Sequence, residues 1–173
     1  MLSPNIERAL NEQMKLEAES SQFYLAMAGW AENKGYNGTA DFMYRHSDEE
    51  RTHMLKLMKY INERGGKAIV PALPKPATDF KELREVFDTL LSHEEMVTQK
   101  INDLVFICLD ERDYTTHNFV QWYVSEQIEE EALARTIIDK LNLIGTDKSG
   151  MYLFDRDIIS INATSAAAPD AAK

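Results

Sequence analysis

Apolar side chains recur at every third or fourth position along four long segments of the chain, which is the spacing of one face of an α-helix. The first segment starts at Ser3, a residue type that caps helices, followed by Pro4 at the first helical position, and it stops before Gly35. The second segment stops at the pair Gly65 and Gly66. The predicted helices span about residues 4–34 and 39–65.

A proline-rich stretch separates the second helix from the third. It contains Pro71, Pro74 and Pro76, and since proline interrupts helical hydrogen bonding, we predict an extended connection of about a dozen residues. A connection of this length can run from one end of a helical bundle to the other and would make helices two and three parallel. A capping-like sequence at Thr78 and Asp79 marks the start of the third helix. The predicted third and fourth helices span about residues 79–110 and 113–144.

The predicted fold class is all-α, a four-helix bundle with one long crossover between helices two and three and a short fifth helix at about residues 148–159. Each long helix would measure about 45 Å at 1.5 Å per residue, and the short turns at 35–38 and 111–113 favour antiparallel pairs. The fifth helix has more apolar residues than the end of a bundle needs, which indicates a role in assembly. Residues 1–161 form the predicted domain, and the alanine-rich residues 162–173 form a poorly packed tail. The apolar residues of the fifth helix are Met151, Leu153, Phe154 and Ile158.

The composition is typical of a helical protein and limits the classes of partner that the protein would bind. The chain has only 7 glycines and 5 prolines in 173 residues, and its formal net charge is −10. This charge disfavours nucleic acid and anionic membranes and favours cations. No apolar run approaches the ~20 residues that span a bilayer and the N-terminus lacks a secretory pattern, so we expect a cytoplasmic protein with no membrane partner. The one cysteine, Cys108, lies in an apolar run and is expected to be a reduced core thiol.

Polar residues interrupt the apolar face of each long helix near its middle. Glu50 and His53 are the clearest case, because side chains three residues apart on one helix face project side by side and can bind one ion. A buried carboxylate without a partner costs roughly several kcal/mol, and the same faces contain no lysine or arginine. A bound divalent metal ion is therefore the simplest way to compensate the negative charge of these buried carboxylates. The interrupting residues are Glu17, Glu50, His53, Glu94, Gln127 and Glu130.

These side chains have the ligand chemistry of a two-metal site. Carboxylate oxygens with one imidazole suit Fe(II), Mn(II) or Zn(II), and the lack of thiolates argues against a closed structural zinc site. Glu94 and Glu130 would bind the second ion, with Glu50 as a bridge between the two. The amide of Gln127 would hydrogen-bond an oxygen species, and open coordination positions would admit dioxygen. The predicted ligands of the first ion are Glu17, Glu50 and His53.

A second acidic group adjoins this predicted centre. Glu126 and Glu129 lie on a neighbouring face of helix four, and Glu49 precedes the bridging Glu50. These residues either form an adjoining iron site or are a solvated acidic face. The sequence leaves both interpretations open.

Aromatic and histidine side chains surround the predicted centre. Tyr24 and Trp122 are candidate electron donors to a reacting oxygen species, although aromatic residues on the faces of bundle helices are usually packing residues. His46 shares the helix face of Glu50 and is expected to be a hydrogen-bonded core residue, not a ligand. The remaining candidates point away from the apolar faces and are expected at the surface. They are His93, Glu95 and His117.

The chain resembles the bacterial non-haem ferritins of the ferritin A type over nearly its whole length. The resemblance runs from MLSPNIERALNEQM through HNFVQWYVSEQIEEE to GMYLFDRDI. It implies a ferritin-like four-helix bundle that oxidises Fe(II) with dioxygen or hydrogen peroxide at a di-iron ferroxidase centre. It also implies a homo-oligomeric cage of 24 subunits that stores ferric oxyhydroxide, with the short fifth helix lining the fourfold axes.

The resemblance assigns roles to individual residues. The six residues that interrupt the apolar faces would form the ferroxidase centre, with Tyr24 beside them. The chain departs from the bacterioferritins because Gln127 and Glu130 replace a second Glu-x-x-His, and because Arg51 occupies the position of their haem-ligating methionine. No haem is therefore expected. The implied third iron site consists of Glu49, Glu126 and Glu129.

Two other classes of function remain open at this point. A di-metal oxygenase or peroxide-scavenging enzyme would turn over its substrate and store nothing, but such an enzyme would usually have a second Glu-x-x-His. A purely structural acidic bundle would have these carboxylates facing solvent.

Overall fold

The computed structural model describes residues 1–161 of the chain and contains five α-helices, with no β-strand in that range. This confirms the predicted all-α class and the number and order of the helices. The predicted tail, residues 162–173, lies outside the described residues. Among the described helices, none is both long enough and apolar enough to cross a membrane. The helices are α1 (Pro4–Asn33), α2 (Asn37–Glu63), α3 (Leu83–Asp110), α4 (Tyr114–Ile144) and α5 (Lys148–Ile161).

Local capping sets the helix boundaries. The Ser3 hydroxyl accepts a hydrogen bond from the backbone N–H of Ile6 at 3.2 Å, which starts α1 as the sequence predicts. Asp113 starts α4 in the same way, by accepting from the Thr116 N–H at 3.0 Å. The turn after α1 needs Gly35, whose φ of 84° lies in the left-handed region.

The predicted start of the third helix at residue 79 is wrong, because α3 begins at Leu83. The Thr78 hydroxyl contacts the Asp79 side chain at 3.3 Å and caps no helix. The indole N–H of Trp30 donates to the Phe80 carbonyl at 2.9 Å, which ties this segment to α1 outside any helix. The crossover between α2 and α3 is therefore longer than predicted.

The apolar core is divided into two clusters, one toward each end of the bundle. One cluster takes residues from the N-terminal halves of α2 and α3 and the C-terminal halves of α1 and α4, together with α5. The other takes residues from the opposite halves of the four long helices, including the buried Cys108. This arrangement requires antiparallel α1/α2 and α3/α4 pairs and parallel α2 and α3, as predicted. Each long helix therefore crosses a middle layer that neither apolar cluster occupies.

Helix α5 is fixed to the bundle by a hydrogen-bonding side chain and two apolar residues. Asp155 accepts from the backbone N–H groups of Gly38 and Thr39 at 3.0 and 2.8 Å, and so caps α2, whose own N-cap residue makes no side-chain cap. Gly38 allows this approach, since an added Cβ would lie 1.7 Å from the Asp155 carbonyl oxygen. Of the residues predicted to serve assembly, Phe154 and Ile158 are buried within the subunit. The exposed apolar residues of α5 are Tyr152, Leu153 and Ile159.

We predict that Asp155→Ala destabilises the protein by about 1 kcal/mol, the usual cost of a lost N-cap, and loosens α5. Hydrogen exchange at the start of α2 and along α5 is the direct measurement, with thermal denaturation beside it. Asp157→Ala is the matched control, because Asp157 is exposed and pairs with its neighbour Arg156. Equal protection of α5 in the two variants would contradict the role of Asp155.

Candidate metal centre

The middle layer of the bundle contains the polar residues that the sequence analysis singled out. All six are at most 7% exposed, and they come from all four long helices. Burial of this many ionisable groups between two apolar clusters is costly unless charge is compensated. The solvated arrangement required by a purely structural acidic bundle is therefore absent from this layer. The six residues are Glu17, Glu50, His53, Glu94, Gln127 and Glu130.

Glu17, Glu50 and His53 form one group of possible ligands, with one ligand atom from each within 4.8 Å of the other two. The Nδ1 atom of His53 lies 3.8 Å from Glu17 Oε2 and 3.5 Å from Glu50 Oε2. Gln13, one turn before Glu17, donates from Nε2 to Glu17 Oε1 at 2.7 Å. This hydrogen bond leaves the other carboxylate oxygen of Glu17 facing His53. Glu17, Glu50 and His53 are the three residues predicted to bind the first ion.

Glu17 and Glu50 each resist ionisation in the buried layer. Burial raises the pKa of both carboxyl groups well above the ordinary value, and each one's charge opposes ionisation of its neighbours. The hydrogen bond between them raises the pKa of Glu17 further and lowers that of Glu50. Both carboxyl groups therefore favour the protonated form over the charged form.

Glu94 occupies the other side of the layer and is held by two donors. The Tyr24 hydroxyl donates to Oε1 at 2.8 Å, and Gln127 Nε2 donates to Oε2 at 3.1 Å. Burial raises the pKa of Glu94 to about 7, while these two hydrogen bonds act in the opposite direction. Burial also raises the pKa of Tyr24, and the nearby carboxylates raise it further. Tyr24 thus contacts Glu94 directly.

Glu130 faces a different pair of residues from the predicted ones. Its Oε2 lies 3.7 Å from His46 Nε2, and the two residues form a group with Glu49 whose ligand atoms lie within 4.8 Å of one another. Burial and then the charge of Glu94 raise the pKa of Glu130. No group at this spacing among residues 1–161 contains Glu94, so the predicted set of Glu94, Glu130 and Glu50 is not one of the groups with ligand atoms within 4.8 Å.

The predicted adjoining site is assembled only in part. Glu49 and Glu126 lie within ligand distance of His53, at the edge of the buried centre. Glu129 is exposed and belongs to no such group among the described residues, although its charge raises the pKa of Glu126 and Glu130.

Aromatic rings enclose the histidine side of the centre. Trp122 meets the His53 ring edge-on, with ring centres 5.0 Å apart, and the Lys56 ammonium lies 3.1 Å above the indole ring. The Tyr123 hydroxyl donates to the His53 carbonyl at 2.9 Å. Trp122 is therefore in contact with His53, a candidate ligand, whereas Tyr24 contacts Glu94.

The expectation that His93 is a surface residue is wrong. Its ring is half-buried, stacks on Phe23 at 4.7 Å between ring centres, and hydrogen-bonds through Nε2 with the Ser20 hydroxyl at 2.8 Å. This burial lowers the pKa of His93 to about 4. Glu95 is exposed, as predicted, and His117 is half-buried.

Sequence reasoning missed one residue that shapes the centre. Gln13 precedes Glu17 by one helical turn, a spacing at which side chains meet. The expectation for His46 is confirmed, because its ring is buried and its Nδ1 donates to the Phe42 carbonyl oxygen at 3.0 Å.

Comparisons with known proteins agree on one family. A family model described as "Ferritin-like domain" matches residues 7–144. A "Probable bacterial non-heme ferritin-like protein" of Haemophilus influenzae is 48% identical over 158 residues, which is 91% of this chain and 96% of that protein. The "Bacterial non-heme ferritin" of Escherichia coli is 41% identical over 162 residues, covering 94% of this chain and 98% of the relative. The solved open pore ferritin of Archaeoglobus fulgidus superposes with a TM-score of 0.90 at 36% identity, covering 92% of this chain and 98% of that one.

We predict that Glu17→Gln stabilises the metal-free protein at pH 8 by about 1 kcal/mol. The amide can still accept from Gln13 and donate to Glu50, so it replaces the protonated acid. The raised pKa of Glu17 means that its contribution to folding is fully present below about pH 4.5 and is lost as the pH rises through the raised value.

Calorimetry at pH 5 and pH 8 in the presence of a chelator measures this effect. The melting temperature of the variant should exceed that of the wild type by a margin that grows with pH. Glu12→Gln, an exposed position on the same helix, is the control. A variant that melts lower than the wild type at pH 8 would contradict the raised pKa of Glu17.

Proposed function

Because this chain belongs to the ferritin family, we propose that it oxidises Fe(II) at the buried centre and stores the ferric product in a hollow homo-oligomeric cage. One observation supports this most strongly: four carboxylates and an imidazole from four helices line a site that has no buried lysine or arginine beside it among residues 1–161. Divalent iron supplies the missing positive charge. The chemistry of the donors, oxygen with one nitrogen, matches Fe(II).

Iron is the substrate of this reaction, and the described side chains have separate roles in binding it. Glu17, Glu50 and His53 would hold one Fe(II), since they already lie at ligand distance from one another. The second Fe(II) would bind between Glu94 and Glu130, with Glu50 as the bridge. The mutual effects of these carboxylates on their pKa values support this grouping, because they require short separations.

Oxidation of two Fe(II) ions releases two electrons, which is the number that one molecule of the oxidant takes up. Each Fe(II) loses one electron, and dioxygen takes two electrons and two protons to become hydrogen peroxide. Hydrogen peroxide as the oxidant takes two electrons and two protons to become two waters. The Gln127 amide would hydrogen-bond an oxygen species near Glu94. Tyr24 is the best placed electron donor, since its hydroxyl contacts Glu94.

Storage requires a path away from the centre and a closed assembly. Glu49, Glu126 and Glu129 would form the third iron site, and their partial or full exposure supports an exit from the buried centre. The formal charge of −10 on each chain would concentrate cations inside a shell. Neighbouring subunits would cover the exposed apolar residues on α5. The resemblance implies a cage of 24 subunits in total. The relatives named as ferritins support this assembly.

We predict that Glu94→Gln reduces the initial rate of Fe(II) oxidation by about tenfold or more, because the second iron loses a charged ligand. Stopped-flow absorbance at two Fe(II) per subunit measures the rate. Glu95→Gln is the matched control, since Glu95 is the next residue and is exposed beside Arg135. His53→Ala and Glu50→Ala should be slowed at least as severely. An unchanged initial rate in His53→Ala would refute the assignment of the centre.

A second prediction concerns storage. The wild-type protein, mixed with increasing Fe(II) in air, should sediment as a large hollow particle that retains many irons per subunit. Glu49→Ala and Glu129→Ala should leave the first two oxidations per subunit fast and slow the later ones. A small oligomer that keeps only two irons per subunit would favour the oxygenase alternative.

A further inference from the structure

We propose that Thr98 and Glu131 form a hydrogen-bonded line that holds the amide of Gln127 against Glu94, so that Thr98 is a positioning residue for the second iron. This inference rests on the proposed function and adds two residues that are not among its proposed ligands. Thr98 lies on α3, one helical turn after Glu94, and is half-buried. Glu131 lies on α4, next to the buried Glu130.

An ion pair near the surface sets the direction of this line. Arg135 donates from Nη2 to Glu131 Oε2, and a carboxylate that is ionised in this way can only accept hydrogen bonds. The Thr98 hydroxyl donates to the other carboxylate oxygen, Oε1, at 2.6 Å. Because a hydroxyl has one hydrogen, the oxygen of Thr98 can only accept from any further partner.

That further partner is the amide of Gln127. Its Nε2 lies 3.4 Å from Thr98 Oγ1, 3.1 Å from Glu94 Oε2 and 3.2 Å from the Glu94 carbonyl oxygen. The Thr98 oxygen and the carbonyl oxygen both accept, so the nitrogen end of the amide fits this side of the side chain and the oxygen end does not. One N–H group therefore donates toward Thr98 and the other toward Glu94.

This line connects a proposed ligand in the core with solvent. A groove of about 380 Å³ between α3 and α4 is lined by Thr98, Gln127 and Glu131, among other residues, whereas Glu94 is 1% exposed. The Tyr24 hydroxyl already holds Glu94 Oε1, so the amide of Gln127 is the donor at the remaining oxygen, Oε2. The direction in which Oε2 points therefore depends on the orientation of Gln127, and that orientation depends on Thr98.

Titration with Co(II) in the absence of oxygen tests this role, because Co(II) takes the place of Fe(II) without being oxidised. Thr98→Val keeps the shape of the side chain and removes the hydroxyl. It should weaken binding of the second Co(II) per subunit by about fivefold, the effect of one lost hydrogen bond, and leave the first Co(II) unchanged. Thr98→Ser retains the hydroxyl and should restore the wild-type affinity. Visible absorption of the bound Co(II) measures both steps.

A double-mutant cycle separates this positioning role from a general contribution to packing. In a Gln127→Leu background, Thr98→Val should have no further effect on the second Co(II), because the line then ends before Glu94. Glu131→Ala removes the acceptor at the outer end and should weaken the second Co(II) in an otherwise wild-type chain. Thr89→Val is the matched control, since Thr89 is also half-buried on α3 and its hydroxyl donates to the Glu85 carbonyl within the same helix.

Three results would count against these assignments, each in a different way. Unchanged binding of the second Co(II) in Thr98→Val, or an equal loss with and without Gln127, would overturn the proposal. Unchanged binding in Glu131→Ala would overturn the part assigned to Glu131. A wild-type protein that binds no Co(II) and oxidises no Fe(II) would instead overturn the proposed function, so the failures are distinguishable.

Discussion

Burial of like-charged carboxylates in the middle of an apolar bundle is the constraint on which this structure depends. Glu17, Glu50, Glu94 and Glu130 oppose one another's ionisation at short range, and burial adds to that cost. Without compensation, such a layer would be replaced by apolar residues at a gain in stability. The chain retains it and surrounds it with hydrogen bonds from Gln13, Tyr24 and Gln127. The polar layer therefore serves the function of the protein at a cost in stability.

The rest of the fold aligns the four long helices so that their polar side chains meet in this layer. Two apolar clusters, one toward each end of the bundle, fix the four long helices above and below the polar residues. Since the centre takes side chains from all four helices, a shift of one helix by a single residue would turn its ligand out of the layer. The caps at Ser3, Asp113 and Asp155 set where helices begin, and therefore also set the height of each ligand.

Much of this could be predicted from the sequence, because helical periodicity identifies the buried face directly. The four interrupted apolar faces placed six polar residues in the core, and the structure buries all six. The start of α3 was wrong because a tertiary hydrogen bond from Trp30 to Phe80 overrides the local capping sequence. His93 was misplaced because Phe23 and Ser20 of another helix cover it. The pairing of Glu130 with His46 depends on distances between helices, and periodicity within one helix has no information about them.

Burial favours protonated carboxyl groups at Glu17 and Glu50, and this has a consequence beyond the bundle. Under the proposed function, each iron that binds would displace protons from these carboxyl groups, so uptake of cations would be matched by a release of protons. In the proposed closed shell these protons would enter a confined volume. The buffering capacity of that volume, and the rate at which the shell passes protons, would then limit how fast successive irons are accepted.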